Sequence, residues 1–303
     1  MLCVCQSACF EINIVCVFQN IFKVAAKHLW GSTGNFKATN HKRVGKMGHL
    51  VLNYPSKALR QTTQVQIILP EESNDVTPLF EEGDVILIYL LHGLTGNASE
   101  WLRFSKLEYY AKKYNAIVVM PEAHRSFYLN LPGADYERYI SNELPGYLEQ
   151  WFKLPFKEKT FLSGESMGGY GTLRIGLTYP ERYHKIAAIS PVISLRSLIA
   201  GDPDLFAPNE WINFDFGRIQ EPLDLVAVGN HREEGKVLLL CGTEDSFYQE
   251  TREFEQQCNR SGMNVASYYE AGEHSWLYWD HAIHRAIRFF RDLHFAGDIL
   301  KDI

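Results

Sequence analysis

Residues 164–168 have the sequence Gly-Glu-Ser-Met-Gly, and they lie between a strand-like run that ends at Ser163 and a helical run that begins at Met167. A serine on a tight strand-to-helix turn projects its hydroxyl away from the backbone, and close packing there admits only small residues two positions to either side. The helix that follows directs its N-terminal amides at the same point, which favours negative charge. The pattern is short and also occurs by chance, but in this context it predicts that Ser166 is a nucleophile.

Predicted strands and helices alternate on both sides of this motif. The expected strands are apolar runs at 65–69, 85–91, 116–120, 159–163, 186–190, 237–241 and 265–269. The expected helices lie at 107–114, 144–152, 167–179, 249–261 and 276–293. The run at 85–91 is almost continuously apolar, as in a strand that is buried on both faces. This alternation predicts an α/β fold with a mostly parallel central sheet and helices on both faces.

A second motif directly follows the most apolar strand, at residues 92–96 (His-Gly-Leu-Thr-Gly). In hydrolases with this serine turn, the loop in this position gives one backbone N–H to the oxyanion hole, and the residue after the nucleophile gives the other. We assign these two donors to Leu94 and Met167. A plain glycine turn leaving a strand is the alternative. His92 is expected to stabilise its own loop rather than to act as a base.

The acid and the base of a triad are expected later in the chain, in the order serine, carboxylate, histidine. Asp245 comes just after the apolar run 237–241, where a carboxylate is well placed to orient a histidine. Its neighbour Glu244 is the alternative acid. His274 lies in the turn between the last predicted strand and the last predicted helix, so we predict that it is the base that takes the proton from Ser166.

Aromatic residues are predicted to form the wall of the substrate pocket. We expect Phe127, Tyr128 and Trp276 to wall a compact apolar pocket, with Trp211 as a further candidate. The segment at about 191–231 interrupts the alternation of strands and helices with prolines and aromatics. We interpret it as a cap-like insert over the site, and a surface excursion with its own small core is the alternative.

The first 46 residues differ from the rest of the chain. They are without an orderly pattern, and their apolar part is interrupted by polar residues, which makes a poor membrane span. We interpret residues 1–46 as an extraneous or disordered extension and residues 47–303 as the hydrolase domain. A degenerate signal is the alternative for the extension. A start at Met47, together with the cysteine usage, predicts a cytoplasmic protein.

Composition argues against some classes of function. The net charge is −6, and acidic and basic residues are mixed without a basic stripe, so nucleic-acid binding is not expected. The six cysteines lack the spacing of a metal clip, and no metal is expected. No membrane span is expected either, and a homo-oligomer stays open.

Four segments in combination resemble the esterase D-like branch of the α/β-hydrolases, namely residues 91–96, 164–171, 241–245 and 272–280. The bacterial tributyrin esterases look most similar, and S-formylglutathione hydrolases and feruloyl or acetyl esterases are wider relatives. The resemblance extends from Met47 to the C-terminal helix. It implies an α/β-hydrolase fold and the hydrolysis of small short-chain acyl esters through an acyl-enzyme, without a cofactor. It also implies that Ser166, Asp245 and His274 form the triad.

Two features depart from the pattern of these relatives. The formylglutathione hydrolases carry a cysteine in the loop after the oxyanion strand, and residues 93–99 contain none, which argues against a thioester substrate. The related esterases often place tryptophan next to tyrosine on the acyl rim, where this chain has Phe127 and Tyr128. The alternatives are a thioesterase of the formylglutathione type, a deacetylase of acetylated sugars and, outside the enzymes, a hydrolase-fold binding protein. Such a binding protein should have lost a triad member or a glycine of the serine turn.

Overall fold

The central feature of the computed structural model, which describes residues 47–70, 85–152, 159–208, 210–227 and 236–299, is a sheet. Its strands are β1 (Met47–Ser56), β2 (Gln61–Pro70), β3 (Ile86–Leu91), β4 (Ala116–Pro121), β7 (Thr160–Glu165), β8 (Lys185–Ile189), β9 (Val237–Gly242) and β10 (Ala266–Glu270). A small ribbon of β5 (Asn130–Leu131) and β6 (Ala134–Asp135) lies apart from it. The strand order in the large sheet is β1-β2-β4-β3-β7-β8-β9-β10. Strand β2 is antiparallel to both neighbours and the other pairs are parallel, so the predicted mostly parallel sheet is confirmed.

Helices cover both faces of the sheet. They are α1 (Glu100–Phe104), α2 (Leu107–Lys113), α4 (Met167–Thr178), α5 (Leu195–Gly201), α6 (Pro222–Ala227), α7 (Tyr248–Arg260) and α8 (Trp276–Phe290). Helix α3 consists of three consecutive segments, which are Tyr136–Arg138, a π-helical turn at Tyr139–Glu143 and Leu144–Phe152. Strand β3 shows why two layers form. Its residues Leu87, Tyr89 and Leu91 face one apolar core, which includes α4 and α7, and its alternate residues face a second core, which includes α2 and α8.

The first strand is the main correction to the predicted elements. The run at 65–69 is the middle of β2, and β1 precedes it without having been predicted. Strand β1 lies at the edge of the sheet and pairs only with β2. Its side chains are therefore largely half-buried or exposed, Val51 among them, and the apolar signal is weak. The remaining predicted strands and helices begin and end within three residues of the observed bounds.

Part of the predicted insert at 191–231 is described. It contains α5, α6 and two short 3-10 turns at Pro203–Leu205 and Glu210–Asn213. Residues 1–46, residue 209 and residues 228–231 lie outside the described residues, so the interpretation of the extension stays a prediction. Among the helices of the described ranges, none has the length and apolarity that crossing a bilayer requires.

Candidate active site

Ser166 lies on a strained turn between β7 and α4. Its backbone has φ 57° and ψ −115°, a conformation that costs a residue with a side chain on the order of 1–3 kcal/mol. Backbone hydrogen bonds hold the turn: the Ser166 N–H donates to the Ile189 carbonyl at 3.0 Å, and the Ser166 carbonyl accepts from Tyr170 at 3.0 Å and from Val192 at 3.3 Å. Neighbouring elements thus maintain a conformation that the serine alone would not adopt.

Glycines at positions 164 and 168 are required by space. A Cβ at Gly164 would lie 2.6 Å from the carbonyl oxygen of Gly168, and a Cβ at Gly168 would lie 2.5 Å from the carbonyl oxygen of Leu91. Both distances are far below van der Waals contact. Helix α4 can therefore begin close against β3 only because these two residues have no side chain.

A chain of hydrogen bonds joins the three predicted triad residues. His274 Nε2 lies 3.0 Å from Ser166 Oγ, and His274 Nδ1 lies 2.9 Å from Asp245 Oδ2 and 3.1 Å from Oδ1. Asp245 is buried and also accepts a hydrogen bond from the Phe247 N–H at 2.9 Å. Because a carboxylate can only accept, Nδ1 carries a proton, and Nε2 of the neutral ring is left to accept from the serine hydroxyl.

The charge of Asp245 is stabilised by these donors. Burial alone would raise the pKa of this carboxyl, but the hydrogen bonds from His274 and from the Phe247 amide outweigh burial, and the pKa is lowered. The alternative acid, Glu244, is exposed and accepts hydrogen bonds from the Gly272 N–H and the Thr243 hydroxyl. Glu244 thus holds the loop that carries His274, and Asp245 is the carboxylate that contacts the imidazole.

Aromatic rings fix the plane of the His274 imidazole. The rings of Phe247 and Trp279 pack edge-on against it, with centroid distances of 5.0 Å and 4.9 Å. Trp279 is in turn held by a hydrogen bond from its indole Nε1 to Ser190 Oγ at 3.2 Å. An imidazole that is held in this way keeps its alignment with Ser166.

A cavity of about 770 Å³ opens at Ser166. Both predicted oxyanion donors, Leu94 and Met167, line it. Met167 is the first residue of α4, where backbone N–H groups have no acceptor within the helix.

His92 stabilises its own loop, as expected. Its buried ring contacts the Gly93 carbonyl through Nδ1 at 2.8 Å and accepts the Ala123 N–H through Nε2 at 3.0 Å.

The predicted pocket wall is partly corrected. Phe127 and Trp276 line the cavity, but Tyr128 does not. Phe127 and Tyr128 both have positive φ, 51° and 57°, and this turn in the chain sends the Tyr128 ring behind the loop. There it is fully buried, packs on Gly171, and donates its hydroxyl to the His92 carbonyl at 2.9 Å. The side chain of Trp211 lies outside the described part of the structure.

Glu165 is a site residue that the sequence interpretation missed. It immediately precedes the serine, lines the cavity, and is only 1% exposed. Burial raises the pKa of this carboxyl well above its usual value, although the Gly93 N–H donates to it, and the nearby Glu100 raises the pKa further. Its Oε2 atom has no hydrogen-bond partner among the described residues. In the sequence, the feature that could have identified Glu165 is an acidic residue inside the serine turn at 164–168, where close packing admits little solvent.

Comparison with known proteins gives consistent matches. The model of a family described as "Putative esterase" matches residues 56–290. An acetyl esterase from Caldicellulosiruptor saccharolyticus is 29% identical over 258 residues, which cover 79% of this chain and 97% of that protein. Two solved structures from Staphylococcus aureus are each 28% identical with a TM-score of 0.69. They are the fluorophosphonate-binding serine hydrolase F, where the match covers 81% of this chain and 98% of that one, and an S-formylglutathione hydrolase, where it covers 81% and 99%. These matches confirm the predicted α/β-hydrolase fold.

Proposed function

The chain belongs to the esterase family, in its esterase D-like branch, and on that premise we propose that it is a serine carboxylesterase that hydrolyses short-chain acyl esters. The observation that carries the proposal is the aligned contact between His274 Nε2 and Ser166 Oγ at 3.0 Å, with Asp245 bonded to the other ring nitrogen. A nucleophile, its base and the group that orients the base are the requirements for acyl transfer.

The proposed reaction has two halves. Ser166 Oγ attacks the ester carbonyl carbon while its proton passes to His274 Nε2, and the tetrahedral intermediate collapses as the alcohol leaves with that proton. A water molecule then attacks the acyl-enzyme, with His274 again accepting the proton. The acid is released, and the proton returns to Ser166 Oγ. Asp245 keeps its charge throughout and stabilises the imidazolium that forms twice.

The proposed oxyanion donors are the backbone N–H groups of Leu94 and Met167. Each intermediate places negative charge on the former carbonyl oxygen, and one well-directed donor of this kind is worth about 3 kcal/mol. The N-terminal end of α4 adds a positive dipole at the same point. Both donors belong to the cavity wall beside Ser166, which supports the assignment.

The proposed acyl group is short. The acetyl esterase relative, which this chain matches over 97% of that protein's length, supports acetyl or similar groups. The S-formylglutathione hydrolase neighbour keeps a thioester as the second candidate, since the same three residues would act on it. A deacetylase of acetylated sugars is compatible with the same chemistry.

The proposed location is the cytoplasm. Cys241 and Cys258 are buried free thiols, and burial raises the pKa of each to about 12, which keeps them protonated. Cysteines used in this way are typical of a reducing compartment.

The test is hydrolysis of p-nitrophenyl esters from acetate to decanoate, together with S-formylglutathione. We expect the wild type to prefer the shortest esters. Ser166→Ala should lose activity, Asp245→Asn should lower kcat by about 10⁴-fold, and the matched control Ser261→Ala, remote from the cavity, should resemble wild type. Activity that survives in Ser166→Ala would show that the nucleophile is misassigned. A wild type that acts on the thioester alone would favour the second candidate, and a wild type inactive on every substrate would favour a binding protein.

A further inference from the structure

The catalytic cavity has an acidic wall. Its described lining residues include Glu100, Glu165, Asp202 and Glu250, and neither lysine nor arginine occurs among them. When ionised, the acids other than the deeply buried Glu165 focus a negative potential in a cleft with low-dielectric walls and raise the local concentration of cations. The cavity is therefore suited to a substrate that brings positive charge.

Glu100 is the acid whose carboxyl group is available to bind a ligand. It lies at the first position of α1, beside the loop that contains Gly96, and its side chain is half-buried. In the described part of the chain no hydrogen-bond donor or cation is bonded to its carboxyl group, and burial raises its pKa. By contrast, the Glu250 carboxyl accepts the N–H groups of Ile193 and Ser194.

The buried carboxyl of Glu165 is a second, independent indication. Glu165 lines the same cavity, and its Oε2 atom is shielded from solvent and is not hydrogen-bonded by any described group. A buried polar atom without a partner is costly, and the N–H groups of a protonated amino alcohol can supply one, whereas a quaternary ammonium group interacts with the wall through its charge alone. Glu100 and Glu165 also influence each other electrostatically, so both acids belong to one part of the wall.

Trp276 provides an aromatic surface at the same end of the cavity. Its ring packs against Trp101 and Phe104 of α1, with centroid distances of 5.1 Å and 5.2 Å. Glu100 begins that same short helix, so α1 brings a carboxylate and an indole to one region of the wall. An aromatic ring combined with a carboxylate is a chemistry that binds ammonium groups, through cation–π attraction and ion pairing.

We propose that the part of the cavity between Glu100 and Trp276 binds a cationic ammonium group in the alcohol portion of the substrate. The preferred substrates are then short-chain acyl esters of amino alcohols or of quaternary ammonium alcohols. The cavity volume of about 770 Å³ leaves ample room for such an alcohol beside a small acyl group. Substrates with carboxylates in the leaving group, including glutathione thioesters, are repelled by the same wall. This inference rests on the proposed esterase function.

The test compares acetylcholine with 3,3-dimethylbutyl acetate, an uncharged ester of the same shape. We expect the wild type to have a kcat/KM for the cation about tenfold above that for the neutral ester at low salt, and the ratio should fall as salt is added. Glu100→Gln should bring the ratio close to one. The control Glu108→Gln, which removes an exposed carboxylate from α2 outside the cavity, should keep the wild-type ratio.

A second measurement uses only the wild type and so does not depend on a variant. Tetramethylammonium should inhibit hydrolysis of 3,3-dimethylbutyl acetate competitively, at concentrations where sodium chloride of equal ionic strength does not. Equal hydrolysis of the two esters and no such inhibition would overturn the ammonium site while the esterase function stands. A cation preference that survives in Glu100→Gln would overturn the assignment to Glu100. Failure to hydrolyse either acetate, or any p-nitrophenyl ester, would overturn the esterase function and this inference with it.

Discussion

The free energy of unfolding of the wild type should fall as the pH rises, because of Glu165. Replacing Glu165 with glutamine should remove this fall. The carboxyl is 1% exposed, the Gly93 N–H donates to it, and Oε2 has no described partner, so an ionised carboxylate at this position would be poorly compensated. Glutamine has nearly the same shape and keeps an acceptor oxygen for Gly93, but it does not ionise. Any fixed cost of the new amide is independent of pH.

The sign and the size of the effect follow from proton linkage. The unfolded chain releases the Glu165 proton at about pH 4.3, whereas the folded protein keeps it because burial raises the pKa. Between these two pKa values unfolding releases a proton, and the free energy of unfolding falls by about 1.4 kcal/mol per pH unit. Below the unfolded-state pKa both states are protonated, and this dependence ends.

The assay is urea unfolding of wild type and Glu165→Gln at pH values from about 5 to about 8. The variant should gain on wild type by about 1.4 kcal/mol for each pH unit until the pKa of the folded state is passed. Glu244→Gln is the control, because that carboxyl is exposed and its pKa is lowered, so it is ionised in both states throughout this range. A difference between Glu165→Gln and wild type that stays constant with pH would refute the buried, protonated carboxyl.

Two further predictions concern the backbone around Ser166. Ser166→Gly should abolish ester hydrolysis. It should nevertheless have a free energy of unfolding about 1 kcal/mol above that of Ser166→Ala, because glycine adopts a φ of 57° without strain. Urea unfolding of both variants measures this difference, and equal stabilities would contradict the strain argument. Gly168→Ala should destabilise the protein by about 3 kcal/mol, because its Cβ would lie 2.5 Å from the Leu91 carbonyl oxygen. Gly146→Ala in α3 meets no atom within 4 Å and should stabilise by up to about 1 kcal/mol, so similar thermal shifts in the two alanine variants would count against the packing explanation.

Much of the fold and of the candidate site could be predicted because it depends on elements that follow one another directly in the sequence. The serine turn needs a strand before it and a helix after it, and both are recognisable from a few apolar residues around Ser166. The parallel sheet then brings the ends of β7 and β9 to one edge, so the loop that carries Asp245 faces that turn. His274 follows the next strand, and its position in the chain was therefore also informative.

Features that depend on distant packing could not be predicted. Tyr128 was expected in the pocket wall because the related esterases place aromatic residues at this position of the acyl rim, but its direction depends on positive φ values and on the space above Gly171. The burial of Glu165 depends on the loop at Gly93, about 70 positions earlier in the chain, which covers the carboxyl. Strand β1 contributes to one sheet edge only, and a pattern with half-exposed residues does not distinguish it from a loop.

The raised pKa of Glu165 connects the stability of the fold with the proposed chemistry. The proposed attack by Ser166 would develop negative charge beside the loop of Gly93 and Leu94, and a second negative charge at Glu165 would oppose it. Burial raises the pKa of Glu165 and so favours the neutral carboxyl, which avoids that second charge and still accepts from the Gly93 N–H. Glu100 and Glu250 also have raised pKa values, yet they lie in the wall of the cavity, where negative charge would attract a cationic alcohol group. An acid next to Ser166 is thus compatible with the proposed ester hydrolysis because it is buried, while the less buried acids in the same cavity are the ones that we propose set the preferred charge of the substrate.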